Sequence, residues 1–246
     1  MIVLKTSREL SAMRAAGRIS SRALRLAGEA VEPGVSTWEI DRMVRRYIEE
    51  QGAVPTFLGY GGFPASSCIS VNNVVIHGIP GKKIILKQGD IVSIDIGATF
   101  EGFVGDNAWT FPCGDVSEEA QSLMNATREA LFEGIAAAKA GNRIGDIGSA
   151  VQRYVEARGY SVVRSFVGHG VGAKMHEDPA VPNYGTPGRG VRLLPGMTIA
   201  IEPMINEGVK EVQTLKDGWT TVTADGKLFR SFRAYCCGYP GRALSF

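Results

Sequence analysis

The chain has 246 residues, 44% of them hydrophobic, and a formal net charge of +2, enough for a large buried core in one domain or two. The near-neutral charge excludes a strong pull toward nucleic acid or an anionic membrane surface, and no run of about 18 apolar residues marks a membrane span or signal segment. Four cysteines, Cys68, Cys113, Cys236 and Cys237, show no CxxC spacing and no disulfide framework, which points to a reduced, cytoplasmic setting.

Thr6-Ser7-Arg8-Glu9 has the form of a capping box, and Leu10, Met13, Ala16, Ala23, Leu24 and Ala27 follow at helical spacing. Glu32-Pro33-Gly34 breaks the pattern. Ser36 and Glu39 then cap a second helix with Ile40, Met43, Val44, Tyr47 and Ile48 on one face, ended by Gly52. A glycine-rich loop with aromatics, FLGYGGFP, covers residues 57–64. Residues 68–76 read as one strand, with His77 just past it. Residues 91–111 read as two alternating strands joined at Glu101-Gly102. A third helix follows Ser117 and a fourth runs from about 145 to 158. The motif VGHGVG then leads to Met175-His176-Glu177-Asp178-Pro179. Residues 197–205 read as a strand with Ile199 and Ile201 on one face and Glu202 on the other, and residues 219–223 as another.

Two features of this order carry information about a site. A two-residue turn at Glu101-Gly102 opposes Phe100 to Phe103, Gly97 to Asp106 and Asp95 to Ala108. Asp95 and Asp106 then project from one face as diagonal neighbours, about 7–8 Å apart at Cα. Two such carboxylates repel, and burial makes their charge costlier, so a positive group belongs between them. A buried arginine, or a pair facing solvent, is the simple solution; a metal centre is the sharper one. Residues 32–52 also repeat at 139–159. Gly34, Ile40, Val44, Arg46, Tyr47, Glu49 and Gly52 recur as Gly141, Ile147, Val151, Arg153, Tyr154, Glu156 and Gly159. Two related helix–helix halves facing one another about a pseudo-twofold axis would leave a cleft between them.

The three histidines, His77, His169 and His176, all lie in glycine- or proline-rich joints. His169 stands between two glycines, which permit close backbone approach. Glu202 ends an apolar strand before Pro203, a setting where a carboxylate is rarely left unpaired. Asp95, Asp106, His169 and Glu202 make an oxygen-rich donor set that suits Co, Mn, Fe or Zn, and two metals better than a closed structural zinc.

At these residues the chain resembles the type I (bacterial-type) methionine aminopeptidases of the pita-bread fold. The likeness runs from Thr6 to about Lys227, through LGYGGFPASSCISVNNVVIHGIP, SIDIGATFEGFVGDNAWTF, VGHGVGAKMHEDP, AIEPM and LKDGWT. It implies an α+β pita-bread fold with a curved antiparallel sheet flanked by helices, and two divalent metal ions. It implies metal-activated hydrolysis of the N-terminal methionine of nascent proteins by a cytoplasmic monomer, with room for a ribosome contact and no sequence-specific nucleic acid or membrane partner. Asp95 would bind one metal, Asp106 would bridge both, and His169 and Glu202 would complete the other, with Glu202 shuttling a proton. His77 and His176 would contact the substrate. Tyr60, Phe63, Cys68, Met175 and Trp219 would line the methionine pocket. A related dipeptidase acting on X-Pro bonds is a weaker rival.

The resemblance also implies a fifth ligand, a bridging glutamate in a closing strand, yet nothing acidic follows Asp225. The tail LFRSFRAYCCGYPGRALSF has no alternating pattern and reads as unsuited to a core strand. We therefore divide the chain into a catalytic unit, 1–228, and an aberrant tail, 229–246, in place of the closing strand. Codons permitted for residues 229–242, read one base later, spell Ser-Ala-His-Phe-Glu-His-Thr-Val-Ala-Val-Thr-Pro-Asp-Gly, which resembles the missing segment. The expectation is a frameshift near residue 228, with metal binding and catalysis impaired if the tail is real; a catalytically dead pita-bread protein binding peptides or partners is the corresponding alternative.

Overall fold

The structure is a computed structural model that describes the backbone of residues 1–239 and 242–245, and the side chains of 1–229 and 231–233. Helix α1 (Ser7–Glu29) begins where its sequence says. The Thr6 hydroxyl accepts from the Glu9 N–H at 3.3 Å, and Glu9 Oε2 accepts from the Thr6 N–H at 2.7 Å. Helix α2 (Thr37–Glu50) starts on the same device, built from Ser36 and Glu39. Strand β1 (Val54–Pro55) and a 3-10 turn at Tyr60–Gly62 lead to β2 (Ser67–Val71) and β3 (Val74–Ile76). The single strand expected over 68–76 is thus two. Asn72 adopts a left-handed φ of 54° that turns the chain, which an extended strand cannot accommodate.

The hairpin β4 (Ile91–Phe100) and β5 (Phe103–Pro112) has the expected register, with Phe100 opposite Phe103, Gly97 opposite Asp106 and Asp95 opposite Ala108. Glu101 and Gly102 have φ of 49° and 80°, the left-handed pair whose twist suits a two-residue hairpin. Helix α1 lies across this hairpin, with α2 beside it. Ile40, Val44 and Ile48 close a core with Ile94 and Ile96.

Helices α3 (Glu118–Ala137) and α4 (Ile144–Glu156) form the second pair. The repeat is carried into structure. Thr37 and Ile144 open their helices at equivalent positions, and Gly34 and Gly141 share φ of 94° and 95°. Strands β6 (Ser161–Val162), β7 (Gly168–Gly170), β8 (Glu177–Val181) and β9 (Thr198–Ile201) follow. The strand expected over 197–205 ends at Ile201, and a separate β10 (Met204–Asn206) follows Pro203. Proline offers no N–H to a ladder, and here the chain changes sheets. β9 pairs with β7, whereas β10 pairs with β6. Strands β11 (Val212–Thr214) and β12 (Thr221–Thr223) complete the hairpin on β3. Trp219 and Thr220 precede β12, in a turn where Asp217 Oδ1 accepts from both their N–H groups.

The tail departs from expectation. Strand β13 (Phe229–Ser231) pairs antiparallel with β10, β14 (Ala234–Tyr239) with β9, and β15 (Arg242–Ser245) with β14. Backbone ladders need extended chain rather than alternation. Two apolar anchors supply the rest: Phe229 and Phe232 are buried, and Phe232 meets Trp109 edge to face at 4.5 Å.

Candidate metal centre

Backbone pairing places the site. Cys68 pairs with Asp95, Asp95 with Ala108, and Ala108 with Arg233, whose N–H donates to the Ala108 carbonyl at 2.9 Å. Residues directly opposed across antiparallel strands share a face, so this row carries Cys68, Asp95 and Arg233 on one side. Asp106, two residues before Ala108, projects to the same side. From the other half come His169 in the middle of β7 and Glu202 at the end of β9. The glycines beside His169 are demanded by the packing. A Cβ on Gly168 would lie 2.2 Å from the Ala200 carbonyl oxygen, and one on Gly170 2.2 Å from that of Asp178.

These side chains meet. His169 Nε2 lies 3.2 Å from Glu202 Oε1 and 3.6 Å from Asp106 Oδ2. Nδ1 of His169 donates to its neighbour's carbonyl, Gly170 O, at 2.7 Å, so Nε2 presents a lone pair. Asp106, His169 and Glu202 are 0%, 7% and 3% exposed. Asp106 Oδ2, His169 Nε2 and Glu202 Oε1 are buried without a hydrogen-bond partner. The three residues can bring one donor atom each to within 4.8 Å of the others. Buried polar atoms are almost always paired, so three orphans facing one point fit a divalent cation, which these donors suit.

The sequence reading missed Arg233. Its Nη1 donates to Asp95 Oδ1 at 2.9 Å and to Asp106 Oδ1 at 2.6 Å, and its Nη2 donates to Glu202 Oε2. The simple solution to the hairpin acids, a buried arginine, is therefore present, supplied from the tail. Counted from Phe229, the glutamate of the shifted reading falls on this same position, 233. Burial pushes Asp95 up to about 8 even though Arg233 pulls the other way, because Asp106 and Glu202 add to the repulsion. Glu202 moves oppositely, to about 2: burial opposes ionisation, but Arg233 outweighs it, helped by His169 in its protonated form, which Glu202 and Asp106 favour while no cation occupies Nε2. Burial disfavours the charged form of Arg233 as well, yet the three carboxylates hold it charged.

The centre adjoins a cavity of about 250 Å³, which Arg233 also lines. His77, His176, Tyr60, Phe63, Cys68, Met175 and Trp219 all line it, as do Asp95, His169 and Glu202, with Asp106 set behind. Phe57, Ile76, Phe166 and Met204 line it too and were not anticipated; apolar residues in loops and at strand ends carry no sequence signal that separates them from core. The Tyr60 hydroxyl and His176 Nδ1 are 2.8 Å apart. Burial, then His169 and Arg233, push His176 down to about 4, and burial and Arg233 lower His77. Both rings are neutral near pH 7. His77 has a left-handed φ of 57°, unusual for a residue with a Cβ.

Buried carboxylate and imidazole donors beside a small cavity, on this α+β frame, define a candidate divalent-metal site, and likeness to known proteins says to which class it belongs. The sequence matches metallopeptidase family M24 (Peptidase_M24) over residues 11–226. It is 56% identical over 228 residues to a methionine aminopeptidase of Clostridium perfringens, covering 93% of this chain and 91% of that one. It is 52% identical over 227 residues to methionine aminopeptidase 1 of Bacillus subtilis, covering 92% and 91%. The crystal structure of methionine aminopeptidase from Rickettsia prowazekii matches with a TM-score of 0.98 at 38% identity, covering 100% of this chain and 99% of that one. An X-Pro aminopeptidase from Thermotoga maritima, 19% identical with a TM-score of 0.76, shares the fold. The chain belongs to family M24, among its bacterial-type methionine aminopeptidases, and has their pita-bread fold.

Proposed function

We propose that the chain is a metalloaminopeptidase that removes the N-terminal methionine of nascent proteins. The observation that carries this reading is the convergence of unpaired Asp106, His169 and Glu202 atoms beside a cavity of about 250 Å³. That volume lies below the roughly 300–1,000 Å³ of drug-sized pockets and suits one side chain. Asp106, His169 and Glu202 would hold a divalent cation, Co, Mn, Fe or Zn. When bound, such a cation supplies polarisation of the scissile carbonyl and acidifies water toward neutral pH.

The chain's own groups do the rest. With the Tyr60 hydroxyl donating to Nδ1, His176 carries its proton on Nε2, the form that donates to the carbonyl oxygen as negative charge develops there. His77, neutral as well, would contact the substrate near the peptide nitrogen or leaving group. Glu202, ionised, takes the proton of the attacking water and returns it to the leaving amine. Phe63, Tyr60 and Trp219 with the sulfurs of Cys68 and Met175 enclose the methionine side chain, a soft, polarisable lining suited to a thioether. The setting is cytoplasmic, the protein a monomer, and a ribosome contact would bring it to nascent chains; no helix among the described residues is long and apolar enough to cross a membrane.

The test is release of methionine from a Met-Ala-Ser peptide by the full chain, stripped with chelator and reloaded with each of the four metals. Metal-dependent release that Asp106→Ala abolishes is expected. Absence of release with every metal, unchanged turnover in Asp106→Ala, or preferential cleavage of X-Pro peptides would overturn the reading.

A further inference from the structure

We infer that Arg233 is a built-in cation that holds the Asp95 side of the carboxylate cluster, leaving a site for one divalent ion on Asp106, His169 and Glu202. The inference deepens the metalloaminopeptidase reading and rests on it. The guanidinium uses one oxygen from each of three carboxylates: Asp95 Oδ1 at 2.9 Å, Asp106 Oδ1 at 2.6 Å and Glu202 Oε2. Of the fully buried atoms around it, one oxygen on Asp106, one on Glu202 and His169 Nε2 remain unpartnered, while the second oxygen of Asp95, a side chain 22% exposed, stands apart from them on the more open side. Those three residues form a donor cluster within 4.8 Å, and Asp95 is not part of it.

Charge points the same way. With all three acids ionised and His169 neutral, the states a bound cation favours, three carboxylates against one guanidinium leave a formal charge of minus two, which one divalent ion balances. A second ion would leave a net charge of plus two, the guanidinium included, in a cavity with mostly apolar and aromatic walls, where unbalanced charge is costly. The guanidinium does not reach the site by chance of rotamer. The backbone N–H of Arg233 is tied to the Ala108 carbonyl at 2.9 Å, and the preceding Phe232 is buried against Trp109. Position 233 is therefore pinned in the row that runs through Asp95.

The experiment counts metal. The full chain and three variants are stripped with chelator, equilibrated with Mn²⁺, and bound Mn²⁺ is measured by emission spectroscopy and by titration calorimetry. One ion per chain is expected for the natural sequence and for Asp95→Asn, and none for His169→Phe. Two are expected for Arg233→Glu, whose four carboxylates balance two divalent ions. Two ions in the natural chain, loss of the ion in Asp95→Asn, or an ion retained in His169→Phe would overturn the inference. If Arg233→Glu does not fold, the Asp95 and His169 variants still decide. Counting needs no turnover, so the two readings fail separately. Methionine release by a chain holding two ions sinks the one-ion site alone, and one bound ion without release sinks the aminopeptidase alone.

Discussion

Replacing Arg233 by Met keeps a long apolar stem and removes the charge. In the metal-free protein Asp95, Asp106 and Glu202 then face one another without a counter-ion, two of them almost wholly buried. Removing one partner of a buried, hydrogen-bonded ion pair costs about 3–5 kcal/mol. For a chain of this size roughly 2 °C of Tm goes with each kcal/mol, so metal-free Arg233→Met should melt roughly 6–10 °C below the natural chain near neutral pH. The loss depends on pH with a definite sign. Burial raises Asp95 to about 8 and raises Asp106 too, even with Arg233 present; without it both rise further. A carboxyl whose folded value is raised gives stability that is fully present below its unfolded value, near pH 4, and lost as pH climbs through the folded one. The penalty should therefore be small at pH 5 and largest at pH 9. Saturating Mn²⁺ should close the gap, because the ion supplies the missing charge and binds only the folded state. Thermal melts followed by circular dichroism at pH 5, 7 and 9, in chelator and in Mn²⁺, measure all of this. Melting temperatures within about 2 °C of each other at pH 9 in chelator would show that the guanidinium does not hold these carboxylates.

Three further changes probe other parts of the argument. His176→Asn should lower kcat on Met-Ala-Ser by roughly 10²-fold or more with little change in KM, and the natural chain's rate profile should show no His176 inflection between pH 5 and 8, since that ring titrates near 4. Lys5→Met breaks the 2.6 Å pair with Glu177 that ties the segment before α1 to the start of β8. Burial would raise the Glu177 carboxyl, but Lys5 and the Lys174 N–H lower it overall, so its stabilisation exists above its unfolded value and fades as pH falls through the folded one; Lys5→Met should flatten the acid limb of a urea-midpoint titration. Gly105→Ala places a Cβ 2.3 Å from the Ala16 carbonyl carbon in α1, and overpacking against backbone should cost about 1–3 kcal/mol or more, read as a lower urea midpoint.

Local rules made much of this legible. The Glu101-Gly102 turn admits two left-handed residues, and once it is placed, period-2 alternation forces the register that aligns Asp95 and Asp106. The capping boxes set the starts of α1 and α2 because their hydrogen bonds span only three residues. The repeat was visible because both halves need the same glycine conformation before the same helix. What sequence hid was nonlocal. β3 pairs with β12, far along the chain, so nothing nearby told that residues 68–76 break at Asn72. Pro203 gave a hint of the second break, since its missing N–H cannot continue a ladder, but not that the chain would cross to another sheet. Arg233 lies 138 residues from Asp95, in a segment with no alternation to assign it a face. The available signal was indirect: acids on apolar strands required a cation.

Position 233 shows how far the fold and the chemistry of this site are separable. Its backbone is fixed by the bridge to Ala108 and by burial of Phe229 and Phe232, none of which depends on the residue's own side chain. Whatever stands there is delivered among Asp95, Asp106 and Glu202. An arginine satisfies these acids internally and lowers the cluster's demand for external cations by one charge, while a glutamate would raise it by one. The difference of two charges is the charge of one divalent ion. A single side chain can thus change the number of ions the centre balances, while the helices, the hairpin register and the histidine joints stay as they are.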